Sequence, residues 1–205
     1  MLGFLRVLCG RPSGGIAIFV KQHIATKITV IKLTSRYIIL KFGTILLINV
    51  YLPCTSSCDW EDEYMETLAC ICNNVYDVQY SYIIWGGDFN VKASFAICRI
   101  MDDLSLSNVD DKLSSGGVVC SCRVDTNGAS SLIDHIFVSS SLYDFVTSVA
   151  IEDSGINLSD HSAVVMELNL PSKNQWSCKS QSKPKLCRYR LSWDKADLWI
   201  ERRML

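Results

Sequence analysis

The chain has 205 residues, which is enough for one domain with a sizeable core and at most a short appendage. Apolar residues make up 49% and charged residues 20%, which excludes a disordered protein and is ordinary for a sandwich whose strands are buried on both faces. The net charge of −1 excludes a global basic field for nucleic acid, although it leaves room for a local basic patch.

Four β-rich runs, separated by tight polar breaks, open the chain. Their content of Ile, Val and Leu predicts strands, the last three forming a meander. The runs are "GGIAIFV" (strand over 15–20), "KITVIKL" (27–33), "RYIILKF" (36–42) and "TILLINVYL" (44–52). From Trp60 to Val78 apolar residues recur at helical spacing behind the acids Glu61, Asp62 and Glu63, which predicts a helix lying across a sheet.

The rest of the chain again contains both strand-like runs and helical spacing. A strand "YIIW" and a helix over 94–104 precede four strand-like runs, which are "GGVVCSC", "SLIDHIFVS", "VTSVAI" and "SAVVMELNL". Because strands outnumber helices and do not alternate strictly with them, we predict an α/β fold of two mixed β-sheets packed as a sandwich with flanking helices. Residues 1–170 form this domain, and residues 171–205 form a basic linker or tail.

Ten cysteines raise the question of disulfides or a zinc site. Their spacings contain no C-x-x-C pair, and three histidines are too few to complete sites around them, so we interpret them as scattered buried thiols of an intracellular protein. The longest apolar stretch, 37–52, is interrupted by Lys41, Gly43 and Asn49, which predicts no membrane span. The opening "MLGFLRVLCG" is a poor signal peptide.

The stretch "WGGDFN" places a carboxylate and a carboxamide, Asp88 and Asn90, directly behind a buried strand. Glycines let the backbone turn sharply there, so that the Asp88 carboxylate projects from a rigid edge with the Asn90 amide beside it. A metal ion and a phosphate oxygen suit this pair of groups. The alternative is an Asx turn, in which both side chains only cap their own backbone.

Two Asp-His pairs follow in "SLIDHIFVSS" and "LSDHSAVVMEL". Asp134 lies on an otherwise apolar strand, where an unpaired carboxylate would be costly, so a partner must exist. Asp160 and His161 precede a strand, at the kind of edge where catalytic groups occur. A contact between Asp134 and His161 would fix the imidazole tautomer and raise its basicity, giving a water-activating base. His135 faces the other way and is predicted to pack, whereas His23 is predicted to be a surface residue.

The ordered motifs "GGIAIFV", "NVYLP", "WGGDFN", "SLIDHIFVS" and "LSDHSAVV" resemble the endonuclease/exonuclease/phosphatase superfamily, and most of all the endonuclease domain of LINE-type (non-LTR) retrotransposon proteins. The phrase "RYRLSWDKADL" (188–198) resembles the segment that leads from that domain to a reverse transcriptase downstream. Five motifs in order are a far stronger signal than any one of them. The resemblance implies a deoxyribonuclease I-like fold, a DNA substrate and an intracellular location, which is nuclear if the protein is functional.

The resemblance also implies roles for individual residues. The implied catalytic residues are Tyr51, Asp88, Asn90, Asp134 and His161, and the implied metal ligands are Asp88, Asn90, Asp160 and His161. Tyr51 would contact the scissile phosphate, and Asp88 with Asn90 would hold the attacking water and the phosphate. Asp134 would orient His161, which stands at the base or phosphate-binding position. The implied cofactor is Mg²⁺, with Mn²⁺ as a substitute.

The chain also departs from the pattern of that superfamily. Relatives begin with an Asn-bearing strand and a strand that ends in a metal-binding Glu, whereas residues 1–14 contain neither Asn nor Glu. Cys54 stands where many relatives carry Asn. We therefore expect an amino-terminally truncated copy, lacking the first strands and impaired as an enzyme.

Two other functions stay open beside the endonuclease. One is a folded remnant without catalysis. The other is a phosphatase or phosphodiesterase of the same fold, against which stand Val91, Lys92 and "LIDH", where inositol-phosphate members carry other residues. The six basic residues without an acid in 168–193 are predicted to be a solvated linker rather than a DNA-binding tail.

Overall fold

The computed structural model describes residues 15–54, 60–91, 95–113, 120–124, 129–152 and 159–170, with the short segments 187–188 and 203–204. The helices are α1 (Gln22–Ala25), α2 (Trp60–Tyr76), α3 (Phe95–Asp103) and α4 (Ser140–Tyr143), with a 3-10 turn at Asp110–Lys112. The strands are β1 (Ile28–Leu33), β2 (Tyr37–Phe42), β3 (Ile45–Tyr51), β4 (Tyr82–Asp88), β5 (Leu106–Asn108), β6 (Cys122–Val124), β7 (Ala129–Ser131), β8 (Asp134–Ser139), β9 (Val146–Glu152), β10 (Ala163–Leu168), β11 (Cys187–Arg188) and β12 (Arg203–Met204).

A six-stranded mixed sheet forms the centre of the described part, in the order β1-β2-β3-β4-β8-β5. Only the pair β3–β4 is parallel within it, because α2 provides the crossover that a parallel connection requires. The strands β9 and β10 pair antiparallel as a second, smaller sheet, and β6–β7 and β11–β12 are short antiparallel pairs. The prediction of two packed β-sheets with flanking helices is confirmed.

The core lies on both faces of the large sheet, as strand alternation requires. On one face, the apolar stripe of α2 and buried residues of α3 pack against inward side chains such as Trp85 and Phe137. On the other face, Val138 packs with Val146 and Val149 of β9, and with partly buried residues of β10. A large apolar side chain buried in this way contributes roughly 1.5–3 kcal/mol. The sheet is therefore held rigidly between two layers.

One predicted strand is absent, and another ends later than predicted. Residues 15–20 form no strand, because an extended segment needs a neighbour that supplies a ladder of backbone bonds, and the carbonyl of Ala17 instead accepts from the Asn49 side chain at 3.2 Å. The strand that begins with "YIIW" does not stop at the glycines but runs through Gly86 and Gly87 to Asp88. No described helix is long and apolar enough to cross a membrane. The predicted tail lies outside the described residues, apart from β11 and β12.

Candidate active site

The ends of three adjacent strands meet at one edge of the large sheet. Strand β3 ends at Tyr51, β4 ends at Asp88, and β8 begins at Asp134. The register pairs Tyr51 with Asp88 and Asp88 with Asp134. Because directly paired residues of neighbouring strands point to the same face, the three side chains form a row on one face of the sheet. Tyr51 and Asp134, which are 83 positions apart in the chain, are thereby fixed on either side of Asp88.

The glycines before Asp88 have a steric explanation. Gly87 has a φ of +134°, which side-chain-bearing residues rarely adopt. A Cβ at this position would collide with the carbonyl oxygen of Val50 and would lie 2.7 Å from its nitrogen. Only glycine therefore allows β4 to lie this close to β3, one residue before the carboxylate.

The Asx turn considered for Asp88 and Asn90 is present. The Asn90 backbone N–H donates to Asp88 Oδ1 at 2.8 Å, and the Asn90 side-chain amide donates to the carbonyl of Leu52 at 2.7 Å and to Asp88 Oδ2 at 3.2 Å. Asn90 has a φ of +53°, a left-handed conformation that asparagine tolerates better than most residues. The turn does not compete with a functional role, because the bonds to Asn90 hold the Asp88 carboxylate in one orientation at the edge of the sheet.

His161 completes this cluster from outside the large sheet. Its Nδ1 lies 2.9 Å from Asp134 Oδ2, so the predicted contact between these two residues is present. Its Nε2 lies 4.0 Å from Asp88 Oδ2. The hydrogen bond to Asp134 is the main cause that raises the pKa of His161 to about 9, and the negative charges of Asp134, Asp88 and Asp160 raise it further against the effect of burial. In the metal-free protein the ring is therefore protonated at neutral pH.

Burial raises the pKa of Asp88 to about 6. The N–H of Asn90 and the charge of His161 lower it, whereas the neighbouring carboxylates of Asp134 and Asp160 raise it further. Three carboxylates thus crowd one edge of the sheet with one histidine among them. A bound cation would favour the ionised form of Asp88, because it would offset both the desolvation and the repulsion.

Two groups of described residues offer donor atoms that could hold a cation. In each group the donor atoms all lie within 4.8 Å of one another. The first group is Asp88, Asp134 and His161, and the second is Cys122, Asp160 and His161. Asp134, predicted only to orient the histidine, is thus placed among the donors. Asp160 joins Cys122 instead of Asp88.

Cys122 is the donor that the sequence did not reveal. It was expected to be one of many buried thiols, and it is indeed buried, but a backbone bridge pairs it with His161. Burial raises the pKa of its thiol, as do the carboxylates of Asp160, Asp134 and Asp88. The pairing links segments 39 residues apart and has no local signal in the sequence.

Ser121 and His135 support the site from the interior. The buried hydroxyl oxygen of Ser121 accepts the backbone N–H groups of Ile133 at 3.2 Å and of Asp134 at 3.0 Å, which fixes the start of β8. His135 packs on the opposite face, as predicted, with its ring 5.7 Å from that of Phe89. It also forms a pair with Asp110 at 2.7 Å, which strand alternation alone does not reveal.

Tyr51 lies at the rim of the cluster and is half-buried. The Arg36 guanidinium lies 5.6 Å from the centre of its ring, and the Tyr51 N–H donates to the Arg36 carbonyl at 2.8 Å. Arg36 is also bonded to Glu63, with a shortest distance of 2.8 Å. Arg36 therefore packs on Tyr51 while it is paired with Glu63. His23 is exposed, as predicted.

No model of a protein family and no curated protein sequence matches the chain. Solved structures do. A 3′ phosphatase from Neisseria, bound to a product DNA hairpin, matches with a TM-score of 0.56 at 18% identity, over 66% of this chain and 65% of that one. An AP endonuclease from Archaeoglobus fulgidus matches with a TM-score of 0.54 at 18% identity, over 66% of each chain.

The endonuclease domain of TRAS1, a telomere-specific non-LTR retrotransposon, matches with a TM-score of 0.51 at 18% identity, over 70% of this chain and 69% of that one. The chain spans about two thirds of the length of these proteins. At this level of identity the likeness concerns the fold. The chain has the deoxyribonuclease I-like fold of these structures, as predicted.

Proposed function

We propose that the protein hydrolyses phosphodiester bonds of DNA as an endonuclease that depends on a divalent cation. The observation that carries the proposal is the convergence of Asp88, Asp134 and His161, whose donor atoms lie within 4.8 Å of one another at one edge of the sheet. Structural elements far apart in the chain supply these residues, and a carboxylate-carboxylate-imidazole group at a strand edge suits metal-assisted hydrolysis.

The donor set fits the implied Mg²⁺, with Mn²⁺ as a substitute. Carboxylate oxygens suit both ions, and an imidazole also suits Mn²⁺. A bound cation would favour the ionised form of Asp88, whose pKa is raised by burial and by neighbouring carboxylates. Asp88 and Asp134 would hold it, and His161 beside them would keep its Nε2 for proton transfer. Asn90 and Asp160 are the further ligands that the resemblance implies. When bound, the cation would polarise the phosphate and stabilise the charge that develops on its oxygens.

His161 is the residue to which we assign proton handling. With its Nδ1 bonded to Asp134, its Nε2 lies 4.0 Å from Asp88 Oδ2. A protonated ring donates from Nε2 to a phosphate oxygen, and a neutral ring accepts a proton there from the attacking water. Asp134 holds the tautomer that makes Nε2 the reactive atom in either state. We assign to Tyr51, which is paired with Asp88 across β3 and β4, a contact with the phosphate.

DNA as substrate is supported by the solved structures of the same fold, which include a phosphatase bound to a DNA hairpin, an AP endonuclease and a retrotransposon endonuclease domain. The ordered motifs of the sequence favour the last of these. We therefore also propose a retrotransposon-type protein that acts in the nucleus and is followed by a reverse transcriptase in longer relatives. A phosphatase activity on DNA 3′ ends is the second candidate, favoured by the Neisseria structure.

We expect the activity of this 205-residue chain to be weak, because burial disfavours the ionised form of Asp88 that a bound cation requires.

The test is nicking of supercoiled plasmid by the purified chain, with Mg²⁺ or with a chelator. We expect nicking only with Mg²⁺, and His161→Ala should reduce its rate by roughly 10²–10⁴-fold, as the loss of a proton-transfer group does. His23→Ala is the matched control, since His23 is exposed and should leave the rate unchanged. An oligonucleotide with a 3′-phosphate, in parallel, measures phosphatase activity.

Each result distinguishes one alternative. A folded wild-type chain that neither nicks nor removes phosphate is a catalytically inactive remnant, and the endonuclease proposal is then wrong for this chain. Nicking that survives His161→Ala at the full rate refutes the role of the histidine. Phosphate release without nicking favours the phosphatase.

A further inference from the structure

A second set of donors shares His161 with the strand-edge cluster. It consists of the Cys122 thiol, the Asp160 carboxylate and the His161 imidazole, with donor atoms within 4.8 Å of one another. Cys122 is buried, His161 is half-buried and Asp160 is exposed. The group is therefore open to solvent on the side of Asp160 and closed on the side of the sulfur.

The backbone holds this group in place. A bridge pairs Cys122 with His161, and the N–H of Arg123 donates to the carbonyl of Asp160 at 2.9 Å. One step further along, the N–H of Ser162 donates to the carbonyl of Ser121 at 2.7 Å. The segment that carries the thiol and the segment that carries the other two donors are thus fixed in register.

The donor types differ from those of the strand-edge cluster. Sulfur, imidazole nitrogen and one carboxylate oxygen suit Zn²⁺ and Co²⁺, whereas Mg²⁺ prefers oxygen and does not select a thiolate. Three protein ligands with an open fourth position are a common arrangement for zinc. We propose that Cys122, Asp160 and His161 form a binding site for a thiophilic divalent cation of the Zn²⁺ class, which shares His161 with the strand-edge cluster.

When a cation binds at this site, it forms a bond to the Cys122 sulfur and the thiol proton passes to solvent. A water molecule takes the fourth position. No oxidant or reductant takes part. His161 belongs to both donor groups, so an ion bound here withdraws the imidazole from Asp88. This consequence rests on the proposed function, and it makes Zn²⁺ an inhibitor of Mg²⁺-dependent cleavage.

Co²⁺ is the probe that reports on the sulfur directly. We expect titration of the reduced, metal-free chain with Co²⁺ to produce a thiolate-to-cobalt charge-transfer band in the near-ultraviolet, together with visible bands of a tetrahedral site. Zn²⁺ should bleach these bands, and a roughly hundredfold excess of Mg²⁺ should leave them in place, because Mg²⁺ does not compete for sulfur. The charge-transfer band is measured without DNA cleavage, so its absence would refute this site without bearing on the endonuclease proposal.

Cys122→Ser is the decisive variant and Cys120→Ser is the matched control, since both thiols are buried two residues apart and only Cys122 belongs to the donor group. The charge-transfer band should disappear in Cys122→Ser and persist in Cys120→Ser. Asp160→Asn alters an exposed residue and should weaken Co²⁺ binding about tenfold or more while the band persists. It serves as the test if Cys122→Ser does not fold.

Two outcomes overturn the site. A wild-type chain that gives no charge-transfer band has no thiolate site. A band that keeps its intensity and affinity in both Cys122→Ser and Asp160→Asn comes from other cysteines of the chain. Inhibition of nicking by Zn²⁺ without the band would indicate that Zn²⁺ acts at the strand-edge cluster instead.

Discussion

The coupling between Asp134 and His161 can be tested on the protonation of the ring itself. Asp134→Asn keeps the shape of the side chain and removes its charge, and with it the main cause that raises the pKa of His161 to about 9. We expect the pKa in the variant to fall well toward the ordinary value of 6.5. Asp110→Asn is the matched control, because it removes a carboxylate from His135 and not from His161.

The magnitude follows from the two pKa values. Their difference of about 2.5 corresponds to about 3.5 kcal/mol at most, since one pKa unit is worth about 1.4 kcal/mol. The His161 side chain is 30% exposed, so solvent screening reduces this to about 1–2 kcal/mol. Because the folded-state pKa is the higher one, this stabilisation is complete below pH 6.5 and is lost as the pH rises through about 9.

Two measurements follow the effect. An NMR titration of the imidazole signals in the metal-free chain gives the pKa of His161, and only three histidines have to be assigned. Urea unfolding between pH 6 and pH 10 gives the stability, and the advantage of the wild type over Asp134→Asn should shrink over this window. A variant ring that still titrates near 9 would refute the assignment of the raised pKa to Asp134.

Two further predictions concern Asp88 and the glycine before it. Because the folded-state pKa of Asp88 is raised to about 6 from 3.8, this carboxyl makes the metal-free protein less stable as the pH rises through that interval. Mg²⁺ should therefore raise the melting temperature at pH 7, and an equal rise in Asp88→Asn would contradict its role as a ligand. Gly87→Ala should cost about 3 kcal/mol or more in urea unfolding, since strain and collision add. Gly43→Ala, with positive φ but open space, should cost only about 1 kcal/mol, and equal costs would refute the collision.

The regular elements could be predicted because their patterns are local. Helix α2 follows from apolar spacing alone, and β1, β2 and β3 lie within a residue or two of the predicted runs. Residues 15–20 show the limit of this reasoning. Their composition favours a strand, yet a strand also requires a partner, and the partner is a property of the fold and not of the segment.

The residues of the site likewise fall into those that could be predicted from the sequence and those that could not. Asp88, Asp134 and His161 could be predicted because polar residues next to buried strands have few structural explanations. Cys122 could not, because a thiol in an apolar run is ordinary and only a long-range backbone pairing places it beside His161. The hydrogen bond from the Asn90 side-chain amide to the Leu52 carbonyl likewise depends on how close β3 and β4 lie.

Asp134 and His135 are consecutive on β8 and look to opposite faces, and each has a polar partner of its own. Asp134 contacts His161 at 2.9 Å, and His135 contacts Asp110 at 2.7 Å. A slip of β8 by one residue would exchange the two faces and break both pairs at once. Two features therefore fix the register of β8, namely the two Asp-His pairs and the alternation of apolar and polar side chains. Insertions within it should be far less tolerated than insertions in the loops around it.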